Sequence, residues 1–101
     1  MTYVYVWRFR VRTGAEADFE AAYGPDGEWV RLFRQADGYL GTDLLHDMTD
    51  PRGYLIIDRW TTRQAWKEFR NARADEWDAI DRRCQALTEL EEELGQFEAT
   101  P

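Results

Sequence analysis

Alternation dominates the first twelve residues. In YVYVWRFRVR (3–12) the odd positions Tyr3, Tyr5, Trp7, Phe9 and Val11 are large and apolar, whereas the even ones run Val4, Val6, Arg8, Arg10, Arg12. A strand turns successive side chains to opposite faces. One face is therefore an aromatic stripe and the other passes from aliphatic to cationic. After Thr13-Gly14 the period lengthens. Ala15–Tyr23 reads as a helix with Ala15, Phe19, Ala22 and Tyr23 on one face. GPDG (24–27) breaks it, and a short second helix carries Trp29, Val30 and Phe33. Beyond a turn at Gly38, Tyr39–Asp47 and Tyr54–Trp60 read as strands joined by the turn-rich hairpin MTDPRG, 48–53. The unbroken apolar start of the third strand, YLII, predicts burial on both of its faces.

Thr61 with Gln64 forms a capping-box signal for the next helix, whose stripe is Ala65, Trp66, Phe69 and Ala72. Asn71 marks a kink, after which Trp77, Ile80, Cys84 and Leu87 continue the inward face. Thr88 with Glu91 predicts one further helical turn, which makes the acidic tract Glu89–Glu93 a solvated helix face. Gly95 ends it, and QFEA (96–99) is left as a short fourth strand. The order β-α-β-β-α-β, with each helical segment interrupted, predicts an α+β, ferredoxin-like fold: a four-stranded antiparallel sheet with helices on one face. The other sheet face carries Val4 and Val6 and is too apolar to stay wet. A second copy of the chain covers it on this reading, as a homodimer through the open sheet face.

Composition narrows the picture. The 101 residues suffice for one domain, 1–101, and a 44% hydrophobic content with regular periodicity predicts a folded one. A net charge of −7 argues against nucleic acid and against anionic lipid as partners, since both need a basic face. No apolar run approaches the roughly 20 residues of a membrane span, and the chain enters its first strand without a signal-peptide core. The single cysteine, Cys84, excludes an intrachain disulfide and a cysteine-based zinc site; its helical spacing with Ile80 and Leu87 marks a buried thiol. One histidine cannot build a metal triad. The expected location is the cytoplasm.

The stretches GYLGTDLLHD, DPRGYLIIDRWTTRQAWKEF and EEELGQFE, preceded by RFRVRTG, resemble the antibiotic biosynthesis monooxygenase superfamily over nearly the whole chain. The resemblance implies a dimeric α+β barrel with a ligand cavity in each protomer, between sheet and helices. It also implies several possible activities. Some members oxygenate aromatic polyketides with neither metal nor flavin, others degrade haem, and others have no assigned activity. The haem branch relies on an Asn in strand one, then a Trp and a His in the second helical segment. Those positions align with Trp7, Phe69 and Ala79, so haem degradation is rejected. The same alignment turns Trp7 toward the cavity.

Aromatics make up 15% of the chain, and five of them are Trp. Tight core packing explains many of them, and Phe9, Phe19 and Ile80 read as plain core. The functional alternative is a flat apolar pocket for a phenolic or polycyclic ligand, lined by Trp7, Tyr23, Trp29, Phe33, Trp66, Phe69 and Trp77. Buried indole N–H groups there need partners. His46 is the candidate catalytic proton acceptor by its ordinary pKa, or else a surface histidine near the end of strand two. Asp43 and Asp58 could act as bases if buried, or pair with Arg8 or Arg59; Arg8 and Arg10 could steady an anionic oxygen or form rim salt bridges. The expected function is a cofactor-independent monooxygenase of a polyketide-type phenol or anthrone. The alternatives are a non-catalytic small-molecule-binding dimer and a polyketide cyclase or isomerase on the same fold.

Overall fold

The computed structural model describes residues 2–100. The alternating N-terminal segment forms β1 (Tyr3–Val11), followed by α1 (Glu16–Tyr23), α2 (Glu28–Phe33), β2 (Tyr39–His46), β3 (Gly53–Trp60), α3 (Arg63–Ala72), α4 (Ala74–Gln85) and β4 (Thr88–Glu98). The strands make one sheet in the order β2-β3-β1-β4, antiparallel at every pairing. This is the ferredoxin-like arrangement with interrupted helices.

Register decides which side chains share a face. Tyr3 pairs with Trp60, Tyr5 with Asp58, Trp7 with Ile56 and Phe9 with Tyr54. The odd residues of β1 and the even residues of β3 therefore point together toward the helices. Tyr3, Phe9, Val11, Tyr54, Ile56 and Trp60 are buried there, with Phe19, Leu32, Phe33, Ile80 and Cys84 completing the core. Tyr5 and Trp7 are only half-buried. The aromatic stripe is thus core at both ends and open in the middle. The opposite sheet face carries Val4, Val6, Leu55 and Ile57, half-buried, and leaves Leu45 and Phe97 exposed.

The helix starts and breaks differ slightly from expectation. Thr62, not Thr61, caps α3: its Oγ1 accepts from the Ala65 N–H at 3.0 Å, while Gln64 reaches forward to Glu68. The break between α3 and α4 falls at Arg73 rather than Asn71.

The larger correction concerns residues 88–95, which are strand and not helix. β4 pairs with β1 over its whole length, so the acidic tract Glu89–Glu93 lies in a sheet edge. The pairing sets Glu92 opposite Arg8, a cross-strand match of charge. A bulge between the Val6–Gly95 and Trp7–Glu93 pairs inserts Leu94 and resets the alternation. With that extra residue, Leu87, Leu90, Leu94 and Phe97 fall at intervals of three and four, which imitates a helical stripe. Gly95 closes the bulge at φ +156°, where a Cβ would stand 2.8 Å from the Phe97 ring.

Candidate active-site cavity

A cavity of about 340 Å³ opens between the middle of the sheet and the helices. Its sheet wall is Tyr5, Trp7 and Phe9 from β1, Ile56 and Asp58 from β3, and Thr42 from β2. The helices supply Tyr23, Trp29, Phe33, Trp66, Arg70, Trp77 and Asp81, and β4 adds Glu91. The aromatic rings brace one another. Trp66 lies 5.2 Å from Tyr5 and 6.4 Å from Trp77, centroid to centroid, and Trp77 stands edge-on to Trp29 at 5.4 Å. Such edge and tilted contacts hold the rings at fixed angles, so the walls are preformed.

Six of the seven aromatics singled out from sequence line this space: Trp7, Tyr23, Trp29, Phe33, Trp66 and Trp77. Phe69 does not. It packs against the fully buried Trp60 at 5.7 Å, and the Arg73 guanidinium lies 5.5 Å from its ring centroid. The Trp29 indole N–H is buried with no hydrogen-bond partner among the described residues.

His46 lies outside the cavity. It is exposed at the end of β2, stacked on Tyr54 at 4.4 Å, with Nε2 held 2.6 Å from the Pro51 carbonyl. The hairpin positions this ring. Asp43 also lies elsewhere, on the open sheet face, paired with Arg59 at 2.7 Å.

Asp58 is the acidic group that the fold brings in. Its neighbours on the same face of β3 are Ile56 and Trp60, both buried. The Thr42 hydroxyl donates to Asp58 Oδ1 at 2.6 Å, and the Tyr39 hydroxyl lies 2.6 Å from Thr42 Oγ1. Thr42 has one proton and spends it on the carboxylate, so Tyr39 is the donor to Thr42. Burial pushes the Asp58 carboxyl up to about 6, against the opposing pulls of the Thr42 hydrogen bond and the Arg59 charge. Burial likewise raises Tyr5 and Tyr39 above the usual phenol range, so both serve as hydrogen-bond donors near neutral pH. At the other end of the stripe, Glu91 stands opposite Phe9; burial and then the Asp81 charge raise its carboxyl. Arg70 is committed to Asp78 at 3.1 Å and lies 5.0 Å over the Trp77 ring.

Sequence reasoning left Asp58 as one of two open choices and did not single out Thr42, Arg70, Asp81 or Glu91. A signal for Asp58 was present: counting by twos from Tyr54 places a carboxylate on the same face as Ile56 and Trp60. Thr42 and Glu91 carried no such signal, because bulges in β2 and β4 shift both strands.

Among solved structures, SnoaB, a cofactor-independent oxygenase from Streptomyces nogalater, is 25% identical and superposes with a TM-score of 0.81, covering 99% of this chain and 94% of its own. A protein from Bordetella bronchiseptica, described only as a candidate antibiotic biosynthesis monooxygenase, is 24% identical with a TM-score of 0.75, over 99% and 98% of the two chains. A NIPSNAP family protein from Agrobacterium tumefaciens shares the fold at 16% identity and a TM-score of 0.72, over 99% and 94%. No curated protein sequence matches significantly. The family profile for antibiotic biosynthesis monooxygenases matches residues 2–83, a span running from β1 into α4 that includes every cavity residue except Glu91. The chain therefore belongs to the antibiotic biosynthesis monooxygenase family.

Proposed function

We propose that this protein is a cofactor-independent monooxygenase of a flat, electron-rich aromatic of the phenol or anthrone class. The observation that carries the reading is the preformed cavity, walled by Tyr5, Trp7, Trp29, Trp66 and Trp77 and holding the half-buried carboxyl of Asp58. Its volume of about 340 Å³ falls at the small end of the ~300–1,000 Å³ typical of small-molecule sites, room for a few fused rings. Likeness to SnoaB, itself a cofactor-independent oxygenase, supports the same chemistry.

In such a reaction the substrate supplies the electrons. Loss of a proton from an activated methylene leaves an anion delocalised over the rings. That anion reduces O₂, and the radical pair joins to a peroxide. Elimination of water from the peroxide leaves a carbonyl. One oxygen atom ends in the quinone and the other in water. The protein binds the flat substrate, excludes bulk water and steadies the anion. Tyr5, in its protonated form, is a wall donor suited to an anionic oxygen.

On the same reading, two copies join through the outer sheet face. The exposed Leu45, Leu90 and Phe97 on that face support the pairing. Among the described residues no helix is long and apolar enough to cross a membrane, and we place the protein in the cytoplasm.

The test is O₂ consumption with a panel of anthrones and hydroquinones, comparing wild type with Trp66→Ala. Uptake above the buffer rate, one quinone per O₂, and a clear loss in the variant are expected. Uptake no faster than in buffer across the panel refutes the oxygenase reading.

A further inference from the structure

Oxygenation by substrate-derived electrons begins with a proton transfer, and the cavity offers few groups that could accept one. Tyr5 and Tyr23 are held protonated by burial. Arg70 is cationic and tied to Asp78. Glu91 stands at the far end of the stripe on an exposed position of the edge strand, and Asp81 faces it from α4. His46 is outside. Asp58 remains, in the middle of the sheet, across from Tyr5 on one side and Thr42 on the other.

Its environment is organised for that task. Thr42 holds Oδ1 at 2.6 Å, and no hydrogen bond to Oδ2 is present among the described residues. Tyr39 in turn orients Thr42, so the hydroxyl cannot rotate away without losing its own donor. A carboxylate pinned at one oxygen presents the other in a fixed direction.

We infer that Asp58 is the catalytic base of this cavity: Oδ2 accepts a proton from an acidic C–H or O–H of the bound aromatic, with Thr42 and Tyr39 as positioning residues. The inference rests on the proposal that the cavity binds an electron-rich aromatic. In the step itself the C–H bond breaks and its electron pair stays on the substrate as a ring-stabilised anion. The proton forms a neutral carboxyl at Asp58. No electron enters or leaves, so the step requires no O₂.

That independence supplies the test. Anthrone is incubated with the protein in D₂O without oxygen, and deuterium entry at its activated methylene is followed by mass spectrometry. Asp58→Asn and Thr42→Val are compared with wild type, and anthrone binding is measured separately by tryptophan fluorescence. Wild type should accelerate exchange above buffer. Asp58→Asn should lose about 100-fold or more, the usual scale for a general base, while still binding anthrone.

Thr42→Val keeps the base but removes a hydrogen bond that favours its charged form. Its rate should therefore rise with pH through a midpoint above the wild-type one, which lies near 6. The charged and titratable groups that act on Asp58 or share the cavity with it are Tyr5 from β1, Tyr39 from β2, Arg59 beside it in β3, Tyr23 from α1, Arg70 from α3, Asp81 from α4 and Glu91 from β4. All are shared by the two proteins, so the displacement reports on Asp58.

Exchange by Asp58→Asn at the wild-type rate overturns the inference. So does a wild type that fails to exceed buffer. Exchange without O₂ uptake in the aerobic assay sinks the oxygenase reading instead. It leaves Asp58 as the base of an isomerase or cyclase.

Discussion

Replacing Asp58 by Asn should make the folded protein more stable at pH 8 while abolishing its proton acceptor. Burial raises the carboxyl from 3.8 to about 6, so the native state holds this proton more tightly than the unfolded chain does. The stability gained from that preference is fully present below about pH 4 and is lost as pH rises through about 6. Each tenfold change in proton affinity is worth about 1.36 kcal/mol, so the charged group costs the native state about 3 kcal/mol at pH 8 relative to its neutral form. Asn is close in shape, neutral throughout, and its carbonyl can still accept from Thr42. The unfolding free energy of the variant minus that of wild type should therefore increase by about 2.5 kcal/mol between pH 4 and pH 8. Urea titration read by tryptophan fluorescence gives both values, at one protein concentration so that any dimer contributes equally. Subtraction removes Glu91, which burial raises, and Asp47, which its Thr49 hydrogen bonds lower, because both proteins share them. A difference flat to within about 0.5 kcal/mol, the usual scatter of such comparisons, would falsify the claim that a charge is buried here. A difference that falls with pH would mean that the native state stabilises the carboxylate.

Trp60 is 0% exposed and wedged among Phe33, Tyr39 and Phe69, so Trp60→Ala should cost about 3–5 kcal/mol in the same urea assay; a loss under about 1 kcal/mol contradicts its place in the core. Leu45 is 46% exposed on the outer sheet face, so Leu45→Asp should convert a dimer to monomer in sedimentation without changing the circular dichroism of the protomer. A monomeric wild type, or a variant that stays dimeric, defeats that interface.

Much of this architecture was legible along the chain. The alternation at 3–12, the strand patterns at 39–47 and 54–60 and the longer periods between them predicted element types and order, because the polarity of each segment follows its geometry and burial. The crowd of aromatics at inward positions announced either a dense core or a flat pocket. β4 was misread. Its glutamates favour helix, and its leucines stand at helical intervals only because a bulge lengthens the strand. The edge of β1 needed a hydrogen-bonding partner, and tertiary pairing outweighed local preference. Phe69 and Trp66 lie on the same helix three residues apart, yet one packs on Trp60 and the other walls the cavity.

Sequence alone determined that Asp58 shares a face with Tyr54, Ile56 and Trp60, since alternation is a property of the single strand, but not that this face turns toward the helices. It could not determine that Thr42 and Tyr39 would stand beside it. Those partners come from β2, whose register is displaced by the irregularity between Tyr39 and Gly41. Nor could it determine that His46, the one side chain with a near-neutral ordinary pKa, would end at an exposed hairpin. Periodicity fixes the direction of a side chain within one element. Register, bulges and the angle at which helices cross the sheet decide which side chains meet, and these depend on contacts between residues far apart in the chain.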